Sequence, residues 1–174
     1  MEARCLYFTV HSASNLINVR KLGEMKVYAK VSIEGYTGRT EPDLENNINP
    51  EWNTTFIFIV PINIIQAQGK ISVKIELICK RSLSPDKYVG EVNLSLDHSQ
   101  CSKSCNTCLV YRSDSNYESP SFGTLMYSSV LGEKLIVVDS SPSKDDTNKD
   151  NIIAQIGEFL LEAVLTGAEA LAGS

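Results

Sequence analysis

The sequence predicts an all-β sandwich of about eight short strands, followed by a polar linker and one amphipathic α-helix. Three observations predict it. Runs rich in Val, Ile, Tyr and Phe recur through the first 138 residues, separated by polar, Gly- or Pro-containing connections. Residues 139–150 offer no apolar side chain that could pack, which is the composition of a solvated linker. Residues 151–172 then carry polar side chains at helical spacing in otherwise apolar sequence.

Taken in order, the run from Leu6 to His11 opens the sandwich, and Val27 to Glu34 alternates with Val27, Ala29, Val31 and Ile33 on one face. Gly35 and Gly38 bracket a hairpin-like turn. Phe56 to Val60 is apolar throughout, as a strand covered on both faces would be. Ile71 to Leu77 alternates for seven residues, and Tyr88 to Leu94 follows. Shorter runs lie at Leu109 to Tyr111, Gly123 to Tyr127 and Lys134 to Val138. The expected organisation is therefore a β domain over residues 1–138, a linker over 139–150 and a helix over 151–174.

Charge supports the same division. The chain of 174 residues has a formal charge of −5, from 16 Lys and Arg against 21 Asp and Glu. Residues 1–138 carry 14 of each sign, so the acidity lies wholly in the last 36 residues, with two basic against seven acidic. A chain without excess positive charge is not expected to bind nucleic acid. Met1-Glu2-Ala3-Arg4-Cys5 runs straight into alternating sequence rather than an apolar signal core, so reduced thiols and a cytoplasmic setting are expected.

In the terminal segment, Gln155, Glu158, Glu162, Thr166 and Glu169 form one stripe of a helix. Ile152, Ile153, Ile156, Phe159, Leu160, Val164 and Leu165 form the broad apolar remainder. About 22 helical residues could reach roughly 30 Å, enough to span a bilayer. With Leu161 and Leu171 the strong apolar residues number nine, which favour insertion by roughly 3–5 kcal/mol, but three Glu oppose it by about 7 kcal/mol or more. Lying in a membrane interface, binding a partner or self-association fits that balance better than spanning.

The order of motifs in residues 4–138 resembles a C2 domain, and more narrowly the small plant C2 proteins of the cold- and stress-induced type, with related plant cell-death regulators. Four segments carry the resemblance: Val10 to Leu16; Gly23 to Val31, which includes Tyr28; Asn49-Pro50-Glu51-Trp52-Asn53 with Phe56 and Phe58; and Asp86 to Val92, which includes Gly90. The resemblance implies an eight-stranded antiparallel C2 β-sandwich. Gly123 to Ser128 resembles a strand that some C2 domains place first, so finding it last implies the permuted, type II-like topology. Trp52, the only tryptophan, is expected to pack at one end of the sandwich.

In calcium-binding C2 domains the ligands are mainly five aspartates on two loops, because calcium requires several converging oxygens. Here the corresponding positions fall on Arg20, Lys26, Cys79, Arg81 and Lys87, with Asp86 adjacent to one of them. A calcium-independent domain is expected. The same loops carry Arg20, Lys21, Lys26, Lys80, Arg81 and Lys87, a candidate membrane-facing set. Cys101, Cys105 and Cys108 with His98 could supply four zinc ligands, but the loop lacks paired Cys-x2-Cys knuckles, so free thiols and no cofactor are expected. No Gly-rich phosphate loop, Gly-x-Ser-x-Gly elbow or His-Glu-x-x-His is present, and no enzyme is expected.

The functional expectation is a non-catalytic module that docks to anionic membrane phospholipid or a membrane-associated protein, cytoplasmic and peripheral at a membrane. The resemblance implies plant stress or defence signalling. The alternative is an interaction adaptor whose C-terminal helix binds a partner, without direct lipid binding.

Overall fold

The structure is a computed structural model that describes residues 2–97, 101, 104–113 and 122–137. The linker, the C-terminal helix with Ile152, Ile153, Ile156, Phe159, Leu160, Val164 and Leu165, and His98 lie outside the described residues.

Among the described residues, eight strands and one short helix follow in chain order. They are β1 (Glu2–Ser14), β2 (Val27–Ile33), β3 (Tyr36–Arg39), β4 (Glu51–Pro61), α1 (Ile62–Gln68), β5 (Lys70–Cys79), β6 (Lys87–Asp97), β7 (Asn106–Leu109) and β8 (Thr124–Ile136). They form two four-stranded sheets ordered β4-β1-β8-β7 and β3-β2-β5-β6, antiparallel at every pairing. The last strand, β8, sits between β1 and β7, which is the permuted order.

Alternation explains which side chains meet. In β2 every odd position from Val27 to Ile33 is buried, and in β5 Ile71, Val73, Ile75, Leu77 and Cys79 face inward. Leu6, Phe8 and Val10 of β1 and Leu125 of β8 fill the space from the other sheet. Fully burying each large aliphatic or aromatic side chain contributes about 1.5–3 kcal/mol, so this interdigitated layer dominates stability.

Several elements differ from the sequence expectation. The β2–β3 turn is Glu34–Gly35, both at positive φ (47° and 85°), the type I′ geometry that matches strand twist. Gly38 lies within β3, where the Phe56 ring occupies the space a side chain would need. Phe56 to Val60 is covered on one face only. Phe58 and Val60 point inward, whereas Ile57 is 41% exposed because a two-layer sandwich has nothing outside it. The two runs expected around Gly123 to Tyr127 and Lys134 to Val138 are joined in a single strand, β8, over Thr124–Ile136, with Val138 outside the described residues. Helix α1 has no counterpart in the sequence reading; Pro61 precedes it, Ile62 and Ile65 are buried, and left-handed Gly69 closes it by donating to the Ile65 carbonyl. β7 covers Asn106–Leu109, and Tyr111 instead exchanges backbone hydrogen bonds with Glu91 of the other sheet.

Candidate functional site

Two loops at one end of the sandwich position the basic residues. The β1–β2 loop is anchored by buried Leu16, Val19 and Met25. Leu16 N–H donates to the Ile48 carbonyl, and the Met25 N–H donates to Asn47 Oδ1 (2.9 Å). Between these anchors the chain bends outward at Gly23, whose φ of 75° is left-handed. Arg20 braces the bend: its N–H donates to Asn18 Oδ1 (2.9 Å), and Nη1 donates to the Glu24 carbonyl (2.8 Å).

The β5–β6 loop is tied to the first. Lys80 N–H donates to the Lys26 carbonyl (2.8 Å), and Lys87 Nζ donates to the Val19 carbonyl (2.9 Å). Asp86 organises the turn by accepting from Arg81 N–H on Oδ1 and from the Tyr28 hydroxyl on Oδ2, both at 2.9 Å. Those two bonds, the Arg81 one foremost, hold its carboxyl below the ordinary range. The Tyr28 phenol is pushed up in turn, by burial and by its bond to Asp86. Both Asp86 oxygens thus already have protein donors.

The loops enclose a cleft of about 430 Å³. Arg20, Lys21 and Leu22 line it from one side, and Arg81, Ser82, Leu83, Ser84 and Lys87 from the other. Four of the six basic residues singled out in the sequence meet here. Lys26 and Lys80 do not line the cleft; they adjoin one another through their backbones at its base. Cys79, expected from the sequence at a calcium-ligand position, is buried in the core. Among the described residues no three His, Cys, Asp or Glu side chains converge to hold a metal ion.

Sequence reasoning missed Leu22 and Leu83, which are 85% and fully exposed at the rim. The signal was available: one leucine stands in the middle of each otherwise polar loop. On the outer face of β2 and β5, by contrast, Lys30 and Lys74 pair with Glu76 at 3.5 and 3.2 Å, and Lys74 also with Glu91 at 3.4 Å. A second cleft, of about 300 Å³ beside α1, carries only Arg4 and Lys134 as cations.

The motif residues have structural roles. Asn49 Oδ1 accepts from Asn15 N–H, and the Pro50 carbonyl accepts from Ala13 N–H. Trp52 packs half-buried against the core while its indole N–H donates to the Val27 carbonyl (2.9 Å). Gly90 is required because a Cβ there would lie 2.6 Å from Val110 Cγ1 and 3.1 Å from the Tyr111 carbonyl oxygen.

Comparison with known proteins agrees with this fold. The family model described as C2 domain matches residues 4–109. The chain is 30% identical over 97 residues to Protein SRC2 homolog of Arabidopsis thaliana, covering 54% of this chain and 30% of that protein. It is 32% identical over 101 residues to Protein SRC2 of Glycine max, covering 55% and 34% respectively. The chain thus spans about a third of the length of these relatives. Among solved structures, a C2 domain of plant Extended Synaptotagmin 1 superposes with a TM-score of 0.61 at 16% identity, over 74% of this chain and 94% of that one. No helix among the described residues is long and apolar enough to cross a membrane.

Proposed function

The chain belongs to the C2 domain family, and from that premise we propose a non-catalytic, calcium-independent module that docks on anionic phospholipid, or on a membrane-associated protein, through the cleft between its β1–β2 and β5–β6 loops. The observation that carries this reading is the meeting of Arg20, Lys21, Arg81 and Lys87 in one cleft, from loops some sixty residues apart. Each such cation near an anionic leaflet contributes about 1 kcal/mol, which gives a permanent but weak attraction. Exposed Leu22 and Leu83 add apolar area at the same rim. Calcium independence is supported by the basic residues at the ligand positions and by the two protein donors that occupy Asp86. Ile152, Ile153, Ile156, Phe159, Leu160, Val164 and Leu165 supply a second apolar contact, so two linked weak sites gain by effective concentration. The setting is the cytoplasmic face of a membrane in plant stress or defence signalling, as for the small plant proteins the chain resembles.

Co-sedimentation of the full chain and of residues 1–150 with phosphatidylserine-containing vesicles, with calcium or with chelator, tests the proposal. Binding in chelator that weakens with salt is expected, and calcium-only binding would overturn it. A second reading, a protein adaptor, is favoured by the acidic stripe Glu158, Glu162 and Glu169, which anionic lipid repels. It takes precedence if neither protein binds vesicles.

A further inference from the structure

A cluster on the outer face of the β4-β1-β8-β7 sheet, separate from the residues of the basic cleft, carries different chemistry. His11 of β1 lies between Asn53 of β4 and Ser128 of β8, with Nδ1 3.1 Å from Asn53 Oδ1 and Nε2 2.9 Å from Ser128 Oγ. Cys105, just before β7, brings its Sγ to 3.7 Å from the same Nε2. Asn53 reaches this position because β4 is bulged there, where the pairing with β1 shifts between Val10 and Ser12, and Asn53 takes a left-handed φ of 47°. The Asn53 carbonyl oxygen facing Nδ1 favours the tautomer protonated on that nitrogen. Nε2 is then a lone-pair acceptor for which the Ser128 hydroxyl and the Cys105 thiol compete.

A hydroxyl, a histidine and an amide in line could suggest acyl transfer, but neither cleft described above includes these residues, and acyl transfer requires a pocket that holds its substrate. A small oxidant needs no pocket. The geometry points to Cys105 as a peroxide-reactive thiol, with His11 as its base and Asn53 as the positioning residue that fixes the imidazole tautomer.

The chemistry balances. The Cys105 proton passes to His11 Nε2, and the thiolate attacks one oxygen of hydrogen peroxide, forming S–O as O–O breaks. The departing hydroxide takes the proton back from the imidazolium and leaves as water. Sulfur loses two electrons, the peroxide gains them, and the products are a sulfenic acid and water. A low-molecular-mass thiol then condenses with the sulfenic acid to give a mixed disulfide and a second water.

The other cysteines are poor competitors. Cys5 and Cys79 are buried. Cys101 is held as a thiol by burial, and burial pushes Cys108 up to about 11. Cys105 is the exposed one. Among the described residues, the hydrogen-bond partners of His11 from β4, β8 and the approach to β7 are Asn53, Ser128 and Cys105, none of them a fixed charge.

The full chain would be treated with hydrogen peroxide and a dione that traps sulfenic acid, and each cysteine peptide quantified by mass spectrometry. At about pH 7, Cys105 is expected to label about tenfold faster than Cys101 or Cys108. His11→Gln should slow Cys105 by about fivefold or more at pH 7 yet leave it unchanged near pH 10, where solvent hydroxide supplies the base. Ser128→Ala should act in the opposite direction, since it removes the competitor for Nε2. Opposite signs at two half-buried neighbours cannot come from loss of folding. Equal labelling of the three cysteines, or a His11→Gln loss that persists near pH 10, would overturn the assignment.

Discussion

At the scale of single residues, the most exacting positions are those where one atom more or less cannot be absorbed. Gly90→Ala puts a methyl 2.6 Å from Val110 Cγ1 and 3.1 Å from the Tyr111 carbonyl oxygen. We expect a loss of about 1–3 kcal/mol in urea unfolding, the usual consequence of overpacking. Trp52→Phe keeps most of the packing but removes the indole donor to the Val27 carbonyl. The expected loss is about 1–2 kcal/mol, readable in the same measurement. Asp43 gives a pH signature. Burial would raise its carboxyl, but the Asn46 amide and the backbone N–H groups of Glu51, Asn46 and Glu45 outweigh this and bring it to about 2. A depressed carboxyl contributes stability above its unfolded value, near 3.9, that fades as pH falls through about 2. Thermal unfolding should therefore drop between about pH 4 and 2, and Asp43→Asn should lower stability at neutral pH while flattening the slope in that window.

At the scale of elements, the two loops act together. Replacing Arg20, Lys21 and Arg81 by Gln should weaken partition onto phosphatidylserine vesicles by about a hundredfold, from about 1 kcal/mol per cation. Leu22→Ser with Leu83→Ser should weaken it without changing its salt dependence, because exposed leucines carry no counterions. How far these elements could be read from the chain depended on burial. β2 and β5 announce themselves because one whole face of each is inside. β3 does not, since Tyr36-Thr37-Gly38-Arg39 is exposed or half-buried along its length and has no pattern to show. β8 reads as two runs because Ser128, Ser129, Gly132 and Glu133 interrupt its apolar residues while backbone pairing with β1 carries the strand through. The basic residues were legible one by one, but not that Lys26 and Lys80 stand apart from the other four. The His11 cluster was invisible, because its partners are 42, 94 and 117 residues away and only the sheet register aligns them.

At the scale of the whole molecule, β1 is joined to β4 on one side and to β8 on the other. A sandwich whose first strand pairs with its last cannot complete the β4-β1-β8-β7 sheet until the end of the domain exists, so its folding is expected to be slow, as for other sheets built on distant pairings. All eight strands lie within Glu2–Ile136. A chain of residues 1–138 is therefore expected to unfold cooperatively at the same midpoint as the full chain, within about 0.5 kcal/mol, whereas stopping before Thr124 should abolish the transition in calorimetry. The pairing of Glu2 with Ile136 also puts the two ends of the sandwich side by side on neighbouring antiparallel strands. Pulled through those ends, the β1–β8 seam carries its hydrogen bonds one after another, as a zipper does, instead of all at once. The domain should thus yield at low force along that axis, parting β4 and β1 from β8 and β7 through the middle of a sheet.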